Sequence, residues 1–292
     1  SGLDGRGTGA AGPIALDMLW TGSTRARIGT TFGAFSPYIA GGFTLEAAEA
    51  VAGGQGGFGI LCDGRLGREA LWRAGGTGLW VGRPVEWPGS RPLRLEPEVG
   101  PDCGGLEEWP LGQVVKVLVF CHPEDDAGLW ADQEATLVRL FAAARRHRLE
   151  VLLEVIPSKV GPVEDDTTAR IVERIYGLGL YPDWWKLEPF RTAAAWDTAC
   201  RAILAHDPHV RGVVVLGLDG SPESLAESFA LAAAQPLVKG FAVGRTIFAD
   251  AARAASALCV NAARSPAARR SCARVPSSSV TRAAWVRRAS SA

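Results

Sequence analysis

Short apolar runs recur along the chain, and stretches with helical spacing separate them. The runs are "PIALDM" (13–18), "FGILCDGR" (58–65), "LWVGRPVE" (79–86), "VVKVLVF" (114–120), "VLLEVIP" (151–157), "WWKLEP" (184–189), "GVVVLGL" (212–218) and "VKGFAVGR" (238–245). Most are continuously apolar rather than alternating, the pattern of a strand covered on both faces. Between the later runs, "DQEATLVRLFAAARRHR" and "SPESLAESFALAAAQ" place their apolar residues on one helical face. Buried strands alternating with helices predict a parallel sheet with helices outside. Eight such runs in 292 residues predict an α/β fold of the (β/α)8 TIM-barrel type. The doubly wound alternative calls for G-x-G-x-x-G after the first strand, and none follows "PIALDM".

The barrel is expected over 13–250 and is expected to be imperfect at its two ends. Residues 1–12 read as a Gly-rich linker. Residues 19–44 show neither strand alternation nor a helical stripe. Residues 251–292 are an Arg/Ala/Ser-rich tail with the composition of a disordered basic extension.

Charge sharpens that division. The net charge is zero, but 251–292 holds eight arginines and no acid, which leaves 23 basic and 31 acidic residues in 1–250. An acidic body gives no reason to expect nucleic-acid binding. No run of eighteen apolar residues suggests a membrane span, and the N-terminal stretch lacks the basic start and apolar core of a signal peptide. Six cysteines without paired spacing point to reduced thiols in a cytoplasm. Four scattered histidines make a zinc centre an unfavoured expectation.

Catalytic groups of such barrels gather where the strands end, on the face built by the βα loops. Nearly every run carries an ionisable residue in that half. Asp17 closes the first, Asp63 and Arg65 the second, and Arg83 and Glu86 fall late in the third. Lys116 lies in the fourth, Glu154 in the fifth, Lys186 and Glu188 in the sixth, and Arg245 ends the eighth. Charges in apolar strands are costly unless paired or used. Lysine is rare here, at four among 31 basic residues, so a lysine within "WWKLEP" asks for a reason.

An amine desolvated beside Trp184, Trp185 and Leu187 has its pKa pushed down, the condition for a nucleophile. Glu154 then reads as its proton carrier. The bland alternative is a structural ion pair between Lys186 and Glu154. Lys116 reads either as a ligand for a substrate anion or as a counter-charge to Glu154. Gly217 and Gly244, with Arg245, lie where the last two strands end, the usual phosphate corner of a barrel.

"RPVEWPGSRPLRLE", "VVKVLVFCHPEDD", "LLEVIPSK", "YPDWWKLEP", "RGVVVLGLDG" and "KGFAVGRTIF" together resemble a bacterial domain family. That family is often fused behind the sugar kinase of inositol catabolism, 5-dehydro-2-deoxygluconokinase. The likeness runs from about Val51 to Phe248. The same segments are more distantly similar to class I tagatose-1,6-bisphosphate aldolases, which are TIM barrels. The resemblance implies a Schiff-base lysine at Lys186, an acid/base carboxylate at Glu154, and further site residues at Lys116, Gly244 and Arg245. Two stretches depart from the family pattern. Asp17 is followed by Met18 and Leu19 where the family shows His-Arg, and the tail lacks the family's helical, Trp-containing ending.

The function so implied is a class I aldolase acting on a phosphorylated keto sugar acid. Lys186 and Glu154 are catalytic, and Lys116, Asp17, Asp63 and Arg65 bind substrate. Gly217, Gly244 and Arg245 hold phosphate. No metal or organic cofactor is required. The implied partners are the sugar-acid substrate, an upstream fused sugar kinase and a second copy of the chain, with no nucleic acid and no membrane. Two other readings stay open. One is kinase activity, against which stands the lack of a Gly-x-x-x-x-Gly-Lys loop. The other is a non-catalytic domain that binds a sugar phosphate or supports the kinase.

Overall fold

In "QVVKVLV" every residue is buried, the lysine included. A strand with no solvated face needs packing partners on both sides, and a barrel inside a ring of helices supplies them. The computed structural model of the chain describes residues 14–18, 45, 48–49, 52–54, 56–65, 67–217 and 222–243, with the backbone alone at 14–18, 222–225 and 243. Residues 19–44, Gly244, Arg245 and the 251–292 tail lie outside the described residues.

Eight parallel strands follow one another in sequence order: β1 (Ile14–Met18), β2 (Phe58–Leu61), β3 (Trp80–Pro84), β4 (Gln113–Val119), β5 (Val151–Val155), β6 (Trp184–Leu187), β7 (Gly212–Leu216) and β8 (Val238–Val243). Strand β8 pairs back onto β1, with Ile14 against Gly240 and Asp17 against Val243, so the barrel closes. The α-helices among the described residues are α1 (Arg68–Ala74), α2 (Ala127–Arg146), α3 (Thr167–Gly177), α4 (Ala193–His206) and α5 (Pro222–Ala233). Two of them begin on side-chain caps. Asp126 Oδ1 accepts from Gly128 N at 2.8 Å, and Thr192 Oγ1 accepts from Ala195 N at 3.0 Å.

Most strands end two to four residues before the apolar run that announced them. The ladder stops where the chain splays into the mouth loops. Asp63, Arg65, Glu86 and Glu188 therefore stand just beyond strands rather than within them.

Alternate residues divide the core into two compartments. Outward-facing Val115, Val117, Leu153, Trp185, Leu187, Val213 and Val215 pack against the helices through Leu137, Leu140, Ile175 and Trp196. Trp185 lies edge-on to Tyr176 at 5.7 Å, and its indole N–H donates to the Tyr176 hydroxyl at 2.9 Å. Inward-facing Leu61, Val114, Leu152, Trp184, Val214 and Ala242 form a second cluster with Trp80, which plugs the barrel floor. Gly82 belongs to this compartment by necessity, since a Cβ there would stand 2.3 Å from Leu61 Cδ2. The two adjacent tryptophans thus face opposite compartments, as strand alternation requires.

Candidate active site

Above the plug, the inward positions of neighbouring strands turn from apolar to charged. Lys116 of β4, Glu154 of β5 and Lys186 of β6 point into the barrel at 0%, 1% and 0% exposure. The register pairs Glu154 with Lys186 directly and sets Leu118 beside Glu154. Lys186 Nζ stands 2.9 Å from Glu154 Oε1, and Lys116 Nζ stands 2.6 Å from Glu154 Oε2. The second contact is an ion pair.

Glu86 completes the row. The β3–β4 ladder runs one step past Pro84, where Val85 N donates to Lys116 O at 3.0 Å. The chain then turns back as a short hairpin, with Glu86 bridged antiparallel to Leu95 and Glu96 N donating to Val85 O at 2.8 Å. This places Glu86 Oε1 at 2.5 Å from Lys116 Nζ, while Glu86 Oε2 accepts from Leu118 N at 3.1 Å. Sequence reasoning put Glu86 late in the third run without giving it a role. The signal was present, because a buried lysine in β4 calls for a carboxylate on an adjacent strand, and β3 offers one at the matching parity.

One step closer to the mouth, Leu118, Ile156 and Leu216 form a small apolar cluster with Phe120 packed on them. They lie two residues beyond Lys116, Glu154 and Val214, on the same inward faces. The charged row therefore sits between two apolar layers. That burial sets its electrostatics. Desolvation dominates at Lys186, and with the nearby Lys116 charge it outweighs the attraction of Glu154, bringing the Lys186 pKa down from 10.5 to about 8. At Lys116 desolvation acts the same way, but Glu154 and Glu86 together overcome it and the pKa rises. Glu154 resists burial because two ammonium groups face it, and its carboxyl is held below the ordinary range. Burial raises Glu86 despite Lys116. Glu188, two residues past Lys186, is also raised by burial. It accepts hydrogen bonds from the Ser158 N–H, at 3.1 Å, and from the Ser158 hydroxyl.

The remaining sequence-derived residues are less concentrated. Asp63 is buried in the loop after β2. Arg65 is half-exposed nearby, 3.7 Å from Glu96 and over the Trp87 ring at 5.3 Å. Glu96 feels the charges of Asp63 and Glu86, after burial and Arg65, so this group adjoins the charged row. Asp17 is described by its backbone register alone, opposite Ile60 and Val243. Gly217 is in place at the end of β7, but its N–H is already donated to Ala242 O at 3.0 Å, so this amide is spoken for. Gly244 and Arg245 fall outside the described residues. Arg83 joins the outer core, stacked on Trp109 at 3.8 Å and bonded to Gln113. His122 is tied on both ring nitrogens, to Pro162 O at 2.8 Å and to Glu124 N at 3.3 Å. Cys62, Cys103, Cys121 and Cys200 are free and buried. Among the described residues no group of three His, Cys, Asp or Glu side chains is placed to hold a metal ion. No helix of the described residues is long and apolar enough to cross a membrane.

Residues 42–263, most of the barrel, match the model of a family described as "Uncharacterized protein conserved in bacteria (DUF2090)". The chain belongs to the DUF2090 family. No curated protein sequence matches this DUF2090 chain. Among solved structures, it is similar to a Corynebacterium glutamicum protein at 20% identity and a TM-score of 0.53, covering 82% of this chain and 80% of that one. Weaker likenesses are to triosephosphate isomerase of Bartonella henselae, with 15% identity, TM-score 0.46 and coverages of 80% and 92%, and to HMG-CoA lyase of Brucella melitensis, with 14%, 0.46, 80% and 81%. At these identities the likeness is one of fold. The chemistry of this DUF2090 member has to be argued from its own charged row.

Proposed function

We propose that the chain is a class I aldolase that cleaves a phosphorylated keto sugar acid through a Schiff base at Lys186. The observation that carries this reading is a buried lysine with a pKa near 8 beside an ionised carboxylate, on the inward face of a barrel strand. A neutral Lys186 Nζ attacks the substrate ketone, and loss of water leaves an iminium. Glu154 takes the proton of the hydroxyl β to that carbon, a carbonyl forms there, and the carbon–carbon bond breaks. The electron pair passes into the iminium to give an enamine. Protonation and hydrolysis return the amine. The step calls on no metal ion or organic cofactor.

Lys116 and Asp17 are assigned to the substrate hydroxyls, and Asp63 and Arg65 to the rest of the chain-like substrate. The phosphate is assigned to Arg245 and the backbone near Gly217 and Gly244. The Gly217 N–H is already donated to Ala242 O, so that amide is left out of the assignment. The resemblance to the domain fused behind 5-dehydro-2-deoxygluconokinase supports 5-dehydro-2-deoxy-6-phosphogluconate as substrate. Cleavage gives dihydroxyacetone phosphate and malonate semialdehyde, within cytoplasmic inositol catabolism.

Borohydride added with that substrate is expected to leave a covalent adduct on Lys186, located by peptide mass spectrometry. Turnover is expected to survive EDTA. A Lys186→Ala variant that keeps full activity would sink the reading. One observation favours a second reading, a domain that binds a sugar phosphate without turning it over. Both lysines are fully buried and matched by carboxylates, as in a structural ion network. Saturable binding with neither adduct nor product decides for it.

A further inference from the structure

Two buried lysines share one carboxylate here, so something must decide which of them becomes the free amine. Glu154 offers Oε1 to Lys186 and Oε2 to Lys116 at comparable distances. Both lysines are fully buried, and both stand above the same apolar plug. Seen from Glu154 alone, the two amines are near equivalents. Glu86 breaks the equivalence, because its carboxylate contacts Lys116 at 2.5 Å.

Glu86 is itself fixed in place. Its other oxygen accepts from Leu118 N at 3.1 Å, and its backbone is bridged to Leu95 in the hairpin that closes over β3. With Glu86, Lys116, Glu154 and Lys186 all ionised the row is neutral. When one proton leaves, the ammonium with two carboxylates is the harder one to discharge. The charges that bear on Glu86 are Lys116 from β4, Glu154 from β5 and, more weakly, Lys186 from β6, and Glu96 lies close on the returning strand of the hairpin.

We propose that Glu86 is a positioning residue of this site. It holds Lys116 as a permanent ammonium against Glu154, and so makes Lys186 the lysine that gives up its proton. This rests on the reading of Lys186 as the nucleophile. The opposite directions of the two lysine pKa values, up at Lys116 and down at Lys186, agree with it.

The test reads the lysines without substrate. The chain has four lysines, so labelling with [15Nζ]lysine gives a spectrum simple enough to follow each ammonium through a pH titration. In the wild type, Lys186 is expected to titrate near pH 8 with Lys116 still protonated. Glu86→Gln keeps an acceptor for Leu118 N and removes the charge. There the Lys116 titration is expected to fall by about one pH unit or more, roughly a tenfold change in its proton affinity. Lys186 loses only the weaker pull of the Glu86 charge while Lys116 is still an ammonium, so it is expected to move little or slightly lower, and the gap between the two lysines narrows. If the Lys116 titration stays at its wild-type position in a folded Glu86→Gln protein, the proposal is overturned.

Should Glu86→Gln fail to fold, the double variant Glu86→Gln with Lys116→Met removes the buried pair together. In that protein Lys186 keeps Glu154 and loses the neighbouring ammonium, so its titration is expected above the wild-type value. An unmoved Lys186 there also overturns the proposal. These titrations need no turnover, whereas failure of the aldolase reading shows as a missing borohydride adduct whatever the titrations do.

Discussion

At the scale of single residues, Glu154 does two jobs that pull against each other. Its position between two ammonium groups keeps it ionised, as a base must be. The same pair of contacts means that any proton it takes is accepted at a cost, since both lysines oppose its neutral form. A carboxylate so placed suits a brief proton transfer followed by release. Glu154→Gln is therefore expected to lower cleavage by roughly 10²- to 10⁴-fold, the usual worth of a positioned acid/base group. Steady-state rates of the variant measure this directly, and a rate within a few-fold of wild type places the proton elsewhere. Glu188, raised by burial and anchored to Ser158, is then the carboxyl to examine.

At the scale of elements, the apolar cluster of Leu118, Phe120, Ile156 and Leu216 lies one inward step towards the mouth from the buried charged row. The low pKa of Lys186 comes first from desolvation, so opening this layer should restore the ordinary value. Ile156→Ser is expected to shift the rise of imine formation with pH towards higher pH. Rates of borohydride trapping at a series of pH values report it, and an unmoved profile would mean that the layer does not exclude water. Elements also decide how much was legible beforehand. The strand runs were readable because burial on both faces leaves a continuous apolar signature, seen most fully in β4 and β5. Lys116, Glu154 and Lys186 were readable because charges interrupt that signature. Glu86 was visible at the end of the third run but drew no role, because it stands past Pro84 in a hairpin and only its parity with Lys116 on the neighbouring strand points to the pairing. Nor did sequence show that the Gly217 N–H closes the β7–β8 ladder, because glycine spacing carries no information on where an amide is donated.

At the scale of the whole molecule, the row couples folding to pH. Between about 8 and 10.5, an unfolded chain keeps a proton on residue 186 that the folded chain has released. Where the unfolded state binds more protons, stability rises with pH. Wild-type urea midpoints should gain this contribution across that window, and Lys186→Met should lack it. Equal slopes for the two proteins would show that Lys186 keeps its proton in the fold. The acid side has the same sign. The Glu154 contribution is present above the ordinary carboxyl range and is lost as pH falls through its lowered folded value.

The charged row also constrains how the barrel can be assembled. Glu86, Lys116, Glu154 and Lys186 come from four successive strands or their immediate extensions, with signs that alternate around the wall. Sliding any one of these strands by a single residue would turn its charge out among the helices and bring a valine, leucine or tryptophan in. The neighbours would be left as buried charges without partners, at about 3–5 kcal/mol for each broken pair. Apolar packing alone discriminates weakly between such slips, because "VVKVLV" and "VLLEV" are nearly as greasy on one face as on the other. The residues proposed for catalysis thus double as a combination lock, open only when half the barrel is in its one correct alignment.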